Sequence, residues 1–154
     1  MRHKIKLKVN GIEYQRGVEP RRLLVDFLRE DLELTGTHVG CEHGICGACT
    51  IFMNKQSTRS CLMFAVQANG SEIVTIEGLS QNGSLTPLQQ AFWENHGLQC
   101  GFCTPGMLIC ATELLQKNPK PTEHEIREAI SSVLCRCTGY YHIIIAIKAA
   151  VEIP

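Results

Sequence analysis

The stretch Cys41-Glu42-His43-Gly44-Ile45-Cys46-Gly47-Ala48-Cys49 narrows most sharply what this chain can become. It sets three cysteines in a C-x4-C-x2-C run, and a fourth, Cys61, follows after eleven intervening residues. That is the plant-type ligand spacing for a 2Fe–2S cluster. A short loop must wrap the cluster with several sulfurs turned inward, and glycines let backbone N–H groups approach sulfur unobstructed. Gly40, Gly44 and Gly47 stand beside these cysteines. Cys41, Cys46, Cys49 and Cys61 are therefore read as the ligands of one cluster.

Composition limits the rest. With 154 residues, 44% of them apolar, the chain can form one domain or two small ones with real cores. The formal net charge is zero, so no basic surface argues for nucleic acid or an anionic membrane. Charged residues make up 19%, against about 25% in a typical soluble domain. A surface so lean in charge is expected to be partly covered by other subunits.

Nine cysteines in 154 residues fall short of the roughly 8–10% of a disulfide scaffold, and the count is odd. Met1-Arg2-His3-Lys4-Ile5 has neither an apolar leader region nor a twin-arginine signal. The longest apolar runs, Cys61 to Val66 and Ile143 to Ile147, are far too short for a bilayer span. The expectation is a reducing cytoplasm with thiolates committed to metal.

The chain reads as two halves. Lys4 to Val9 alternates strictly between polar and apolar, as a half-buried strand does. Asn10-Gly11 signals a hairpin, with Ile12 to Gln15 starting the return strand. Leu23, Leu24, Phe27 and Leu28 have helical spacing within Arg22 to Leu32. Thr50 to Met53, Ser57 to Leu62 and Glu72 to Ile76 read as strands, with a turn at Asn54-Lys55. This order predicts a small mixed sheet of the β-grasp kind.

After Gly78 a polar linker, Ser80 to Ser84, leads into helices. Thr86-Pro87-Leu88-Gln89 supplies an N-cap, a proline at the first helical position and a Gln to close the capping box. Gly97 is the expected stop. A second helix begins at Thr104-Pro105 and is closed off by Pro119 and Pro121. Thr122 to Glu125 is a capping box for a third, and Thr138 to Val151 makes a fourth.

These helices carry a second constellation: Cys100-Gly101-Phe102-Cys103, then 31 residues, then Cys135-Arg136-Cys137. Each pair is followed at once by Thr and a helix breaker or starter, Thr104-Pro105 and Thr138-Gly139. A pseudo-twofold arrangement with both pairs at helix N-termini is expected, where free N–H donors stabilise thiolates. Four thiolates in two pairs also suit structural zinc. Spacing alone leaves zinc open, although a C-x-C pair is less usual for it, and beside the first loop a cluster is the preferred reading. Cys110 shares a helical face with Met107, Ala111 and Leu114 and reads as a core thiol. His38 and His43 flank the first loop, but four cysteines already fill it, so they read as loop or surface residues. Trp93 lies off the main apolar stripe and suits either packing or an interface. Glu30-Asp31 and Glu123 to Glu128 read as solvated faces and caps. No phosphate loop, Ser/His/Asp arrangement or paired catalytic acid is present, so no catalytic residue is assigned.

Taken together, Thr35 to Thr50, Arg59-Ser60-Cys61-Leu62, Thr75-Ile76-Glu77-Gly78-Leu79, Leu98-Gln99-Cys100-Gly101-Phe102-Cys103-Thr104-Pro105-Gly106-Met107 and Leu134-Cys135-Arg136-Cys137-Thr138-Gly139-Tyr140 resemble one family. It is the small iron–sulfur subunit of the molybdenum hydroxylases, the xanthine oxidase and carbon monoxide dehydrogenase group, and the resemblance covers essentially the whole chain. It implies an α+β chain: an N-terminal β-grasp ferredoxin-like domain over 1–78, then a C-terminal four-helix bundle over 79–154. It implies two 2Fe–2S clusters, the second held by Cys100, Cys103, Cys135 and Cys137. These would relay electrons from a molybdopterin dinucleotide, of the cytosine form, in a large subunit to FAD in a medium subunit. By resemblance the bundle cluster is nearer molybdenum and the β-grasp cluster faces flavin. Gln99 would hydrogen-bond the pterin, with Cys137 against it. Ser132-Val133 departs from the family's Gly-Asn, and Val133 has no side-chain amide to offer near the cluster. The alternatives are a free-standing ferredoxin-like carrier and a zinc-stabilised adaptor.

Overall fold

The computed structural model describes residues 1–80 and 83–152. The middle of the expected linker, Gln81-Asn82, lies outside the described residues. Strands β1 (His3–Val9) and β2 (Ile12–Val18) form the first hairpin, with Val9 opposite Ile12. Asn10 and Gly11 take φ of 50° and 84°, the two left-handed residues that such a tight turn requires. The alternation of β1 holds: Ile5, Leu7 and Val9 are buried and the lysines between them exposed.

The chain then turns into a short helix, α1 (Leu24–Asp26), continued by a π-helical turn over Phe27–Asp31. Leu32 N–H reaches back to the Phe27 carbonyl at 3.1 Å, because the Leu28 carbonyl accepts from Leu34 N–H at 2.9 Å instead. That exchange is why a helix expected to run regularly from Arg22 to Leu32 opens in its last turn. Leu24, Phe27 and Leu28 seal one face of the sheet.

Strands β3 (Thr50–Met53), β4 (Gln56–Arg59) and β5 (Glu72–Val74) complete a five-stranded sheet in the order β2-β1-β5-β3-β4. β1 and β5 are parallel and every other pair antiparallel. The turn at Asn54-Lys55 is as expected, with φ of 51° and 68°. Two strands are shorter than the sequence suggests. β4 stops at Arg59, because the Ser60 hydroxyl and N–H both donate to the Cys49 carbonyl (2.7 and 3.3 Å) and pull Ser60–Leu62 into a 3-10 turn. β5 stops at Val74, because Thr75 N–H donates to Asn10 Oδ1 at 2.9 Å.

Four helices follow: α2 (Pro87–Glu94), α3 (Thr104–Lys117), α4 (Glu123–Ile130) and α5 (Tyr141–Glu152). The capping boxes at Thr86/Gln89 and Thr122/Glu125 both form. α2 ends before Gly97, on a left-handed His96 (φ 54°). Gly97 is needed for packing instead, since a Cβ there would stand 3.0 Å from the Phe92 ring and 3.1 Å from Ala146. α5 begins later than Thr138, because Gly139 and Tyr140 take left-handed φ (60° and 67°) that no α-helix accommodates. Phe92, Met107, Ile126, Ile130, Ile143 and Ile147 form a core of their own, distinct from the one beneath the sheet. Among the described residues no helix is long and apolar enough to cross a membrane.

Asn10 ties the hairpin to the segment after β5. Its Oδ1 accepts from Thr75 N–H and its Nδ2 donates to Thr75 Oγ1, both at 2.9 Å. Gly78 leaves room for this clamp, because a Cβ there would lie 2.2 Å from Asn10 Oδ1. Asn10→Ala leaves the buried Thr75 amide without its partner and is expected to cost about 2–3 kcal/mol. A lowered melting temperature checks this, and Gly78→Ala is expected to act in the same direction.

Candidate metal centres

The first cysteine loop is built by left-handed residues. Glu42, Gly44 and Gly47 take φ of 53°, 75° and 74°, which coils the loop and turns its amides toward its own sulfurs. His43 N–H and Cys46 N–H donate to Cys41 Sγ at 3.3 and 3.4 Å. The amide of Cys46, then that of His43, brings the Cys41 thiol down to about 6, against burial, which opposes it. Gly44 has no room for a side chain, since a Cβ would sit 2.5 Å from Leu62 Cδ1. The double hydrogen bond from Ser60 to the Cys49 carbonyl brings Cys61 beside Cys49. Burial first, and the neighbouring Cys49 second, push the Cys61 thiol up to about 11.

The second set is gathered from two loops. Cys103 immediately precedes α3, and Cys100 stands one left-handed glycine and a phenylalanine before it. Cys100 Sγ and Cys137 Sγ are 3.5 Å apart. Cys103 neighbours Cys135, and burial pushes the Cys103 thiol up to about 12. Cys135 moves the other way. Burial opposes ionisation, but the Thr138 hydroxyl, 3.1 Å from the sulfur, and nearby amides outweigh it. Cys137 is raised by Cys100 beside it. The expectation that both pairs lie at helix N-termini holds for Cys100 and Cys103 alone. Cys135 and Cys137 precede α5 by a turn in which Tyr140 N–H donates to Thr138 Oγ1 (3.1 Å) and Cys135 N–H to the Tyr140 hydroxyl (3.0 Å).

In both sets the thiols therefore meet in pairs: Cys41 with Cys46 and Cys49 with Cys61, Cys100 with Cys137 and Cys103 with Cys135. Two irons, each taking two thiolates, ask for that pairing. A lone zinc needs four donors around one point. Among the described residues no group of three or more His, Cys, Asp or Glu is already gathered around one point, which bears on zinc and cluster alike. All-sulfur donors fit a 2Fe–2S cluster at each place, helped in the first by inward amides and crowded glycines and in the second by the Thr138 hydroxyl.

The other expected residues are accounted for. Gln99 is exposed, and its Nε2 donates to the Cys137 carbonyl at 3.2 Å, so Gln99, Cys100 and Cys137 share one open face. Cys110 is buried, with its sulfur 3.4 Å from the Ser132 hydroxyl. The His43 ring turns to the Cys41 carbonyl. His38 stacks on Phe102 at 4.8 Å and meets the Phe102 carbonyl at 2.8 Å, so it bridges the two cysteine loops. Trp93 is 69% exposed.

Sequence reasoning did not bring the two loops together. Leu134 N–H donates to the Cys46 carbonyl at 2.8 Å. A Cβ on Gly47 would lie 2.4 Å from the Ser132 carbonyl, and one on Gly106 2.4 Å from the Gly47 carbonyl. The available signal was Gly106, a glycine inside the first turn of a helix where backbone conformation asks for none.

Paired thiols in two loops, on a mixed sheet followed by helices, define an iron–sulfur electron-transfer protein. The sequence matches the 2Fe-2S iron–sulfur cluster binding domain over residues 7–73 and a second 2Fe-2S binding domain over residues 75–148. It is 57% identical over 150 residues to the caffeine dehydrogenase subunit gamma of Pseudomonas sp. strain CBB1, covering 96% of this chain and 90% of that one. It is 53% identical over 149 residues to the nicotine 6-hydroxylase small subunit of Paenarthrobacter nicotinovorans, covering 97% and 90%. Among solved structures, quinoline 2-oxidoreductase from Pseudomonas putida 86 superposes with a TM-score of 0.95 at 51% identity, over 98% of this chain and 94% of that chain. The aldehyde oxidoreductase of Desulfovibrio gigas gives 0.90 at 40% identity, over 97% of this chain and 17% of that one. The chain belongs to the small iron–sulfur subunits of the molybdenum hydroxylase family. It is an electron-transfer component of a multi-subunit oxidoreductase.

Gly47→Ala adds a methyl group where the Ser132 carbonyl and Val133 already stand, on a residue with φ of 74°. Steric crowding and the left-handed backbone together are expected to cost about 2–5 kcal/mol. Thermal unfolding of the variant beside a Gly70→Ala control, where φ is 80° and nothing lies within 4 Å, separates the two contributions.

Proposed function

We propose that this chain carries electrons, one at a time, from a molybdopterin dinucleotide in a large subunit to FAD in a medium subunit. In this reading residues 1–78 form a β-grasp domain whose Cys41, Cys46, Cys49 and Cys61 hold the first 2Fe–2S cluster. Residues 79–154 form a four-helix bundle whose Cys100, Cys103, Cys135 and Cys137 hold the second. The shared core of α2 to α5 supports the bundle assignment. When bound, each cluster stores and releases a single electron. The holoenzyme's bond-making belongs to the large subunit, whose pterin is of the cytosine form, and the complex works in the reducing cytoplasm.

The hydrogen bond from Leu134 N–H to the Cys46 carbonyl carries the proposal. It links a residue of the first ligand loop to the neighbour of Cys135, so the two metal centres share a short covalent and hydrogen-bonded route. The ends of that route are open. Gln99, Cys100 and Cys137 are exposed on the bundle side, where Gln99 can donate to a pterin and Cys137 lie against it. On the sheet side Ile45 and Leu62, 69% and 59% exposed, surround the first loop and offer an apolar face to a flavin subunit. A roaming carrier has no use for two open ends, and the relatives named above are subunits of complexes.

The preparation is expected to contain about four irons and four labile sulfides per chain, as two such clusters require, and to co-purify with molybdenum and flavin subunits. In Cys100→Ser iron is expected to fall to about two per chain, with one of two EPR signals lost and the other kept. Loss of both signals would count against separate ligand sets.

A further inference from the structure

Arg59 lies where the two cysteine loops meet. Its backbone stands opposite Thr50 in the β3–β4 ladder, one residue after Cys49. From Nη1 it donates to the Thr50 hydroxyl, and from Nη2 to the Ser132 carbonyl. The Thr50 hydroxyl in turn donates to the Gly47 carbonyl. A continuous chain of donors thus runs from the first loop, through one guanidinium, to the strand of residues leading into Cys135. The Ser132 carbonyl it holds is the atom that a Gly47 side chain would strike.

The charge is as notable as the contacts. Arg22 and Arg127 meet carboxylates, whereas Arg59 makes no ion pair among the described residues. A guanidinium stays protonated throughout the accessible pH range. Arg59 is half-buried and its partner Thr50 buried, so solvent screens it less than a free surface charge. All three oxygens in this chain are neutral. The cation therefore has no carboxylate partner among the described residues, where the loop of Cys46 and Cys49 meets the segment that leads into Cys135.

We propose that Arg59 is a positioning residue for electron transfer between the two clusters: it clamps their loops together and lends both a fixed positive charge. The inference rests on the 2Fe–2S assignment of the eight cysteines. Passage of one electron from one centre to the other makes and breaks no bond and moves no proton. With both clusters bound, it would take one negative charge from one cysteine set and give it to the other, with the Arg59 charge held where their loops meet. A cation between them stabilises either reduced centre, so it raises both potentials.

The experiment is an EPR-monitored redox titration of the complete complex bearing Arg59→Gln and Arg59→Lys. Gln keeps a donor and loses the charge, and the equilibrium constant for reducing each cluster is expected to drop about tenfold, about 59 mV for a one-electron couple. Lys keeps the charge but cannot span both anchors. Its potentials are expected to stay near those of the parent, while the magnetic coupling between the two reduced clusters weakens. Unchanged potentials in the Gln variant, or a fall in the Lys variant as large as in Gln, overturn the proposal. Should the Gln variant fail to hold iron, the Lys variant decides alone, and unaltered coupling in it overturns the clamp. Iron and sulfide content of the parent protein tells this failure from that of the assignment, because a parent without about four irons has no clusters to tune.

Discussion

Everything in this molecule that concerns electrons depends on a place where side chains are missing. Gly47 and Gly106 have their backbones pressed against each other and against the Ser132-Val133 segment, with room for no Cβ at either glycine. Interiors packed to crystal-like density leave no slack for even one methyl group. The consequence is that two metal-binding loops from different cores are held at hydrogen-bonding distance by sterics before any charge is considered. Val133, fully buried, fills the wedge between the glycines. Its role there is to pack, between the two glycine backbones.

Electrostatics works on that frame. The first loop lowers one thiol by pointing amides at it, while burial raises Cys61 and Cys103. A bound metal has to compete with the proton at such sulfurs, and amide donors aimed at sulfur would favour the more negative, reduced state of a bound cluster. The two centres differ in how they are supplied with donors. The first draws on a coiled loop. The second draws on the start of α3 and on the Thr138 and Tyr140 hydroxyls.

Much of the fold was legible, because the local signals agreed with the tertiary outcome. Strict alternation in β1, Asn10-Gly11, and the capping boxes at Thr86 and Thr122 each encode their element within a few residues. The first four cysteines announced themselves by spacing, whereas the spacing of the second four also suited zinc and their cluster reading leaned on the first loop and on the resemblance. What could not be read is whatever depends on distant partners. β4 and β5 end early because Ser60 and Thr75 bond to residues far along the chain, Cys49 and Asn10. α5 starts late because the left-handed turn that Gly139 hints at extends to Tyr140, whose own residue type does not announce it. Arg59, Gly106 and the bridge from Leu134 to Cys46 were hidden for the same reason, since a contact between loops leaves no period or motif in sequence.

The placement of Gly47 beneath residues 132–133 also bears on how the protein is born. A ribosome delivers the N-terminal loop long before the segment that covers it, and domains generally fold as units in that order. For that interval the nascent polypeptide carries an open basket of thiols whose roof has yet to be translated. The surroundings of the early loop are therefore completed only once residues 132–134 have been made.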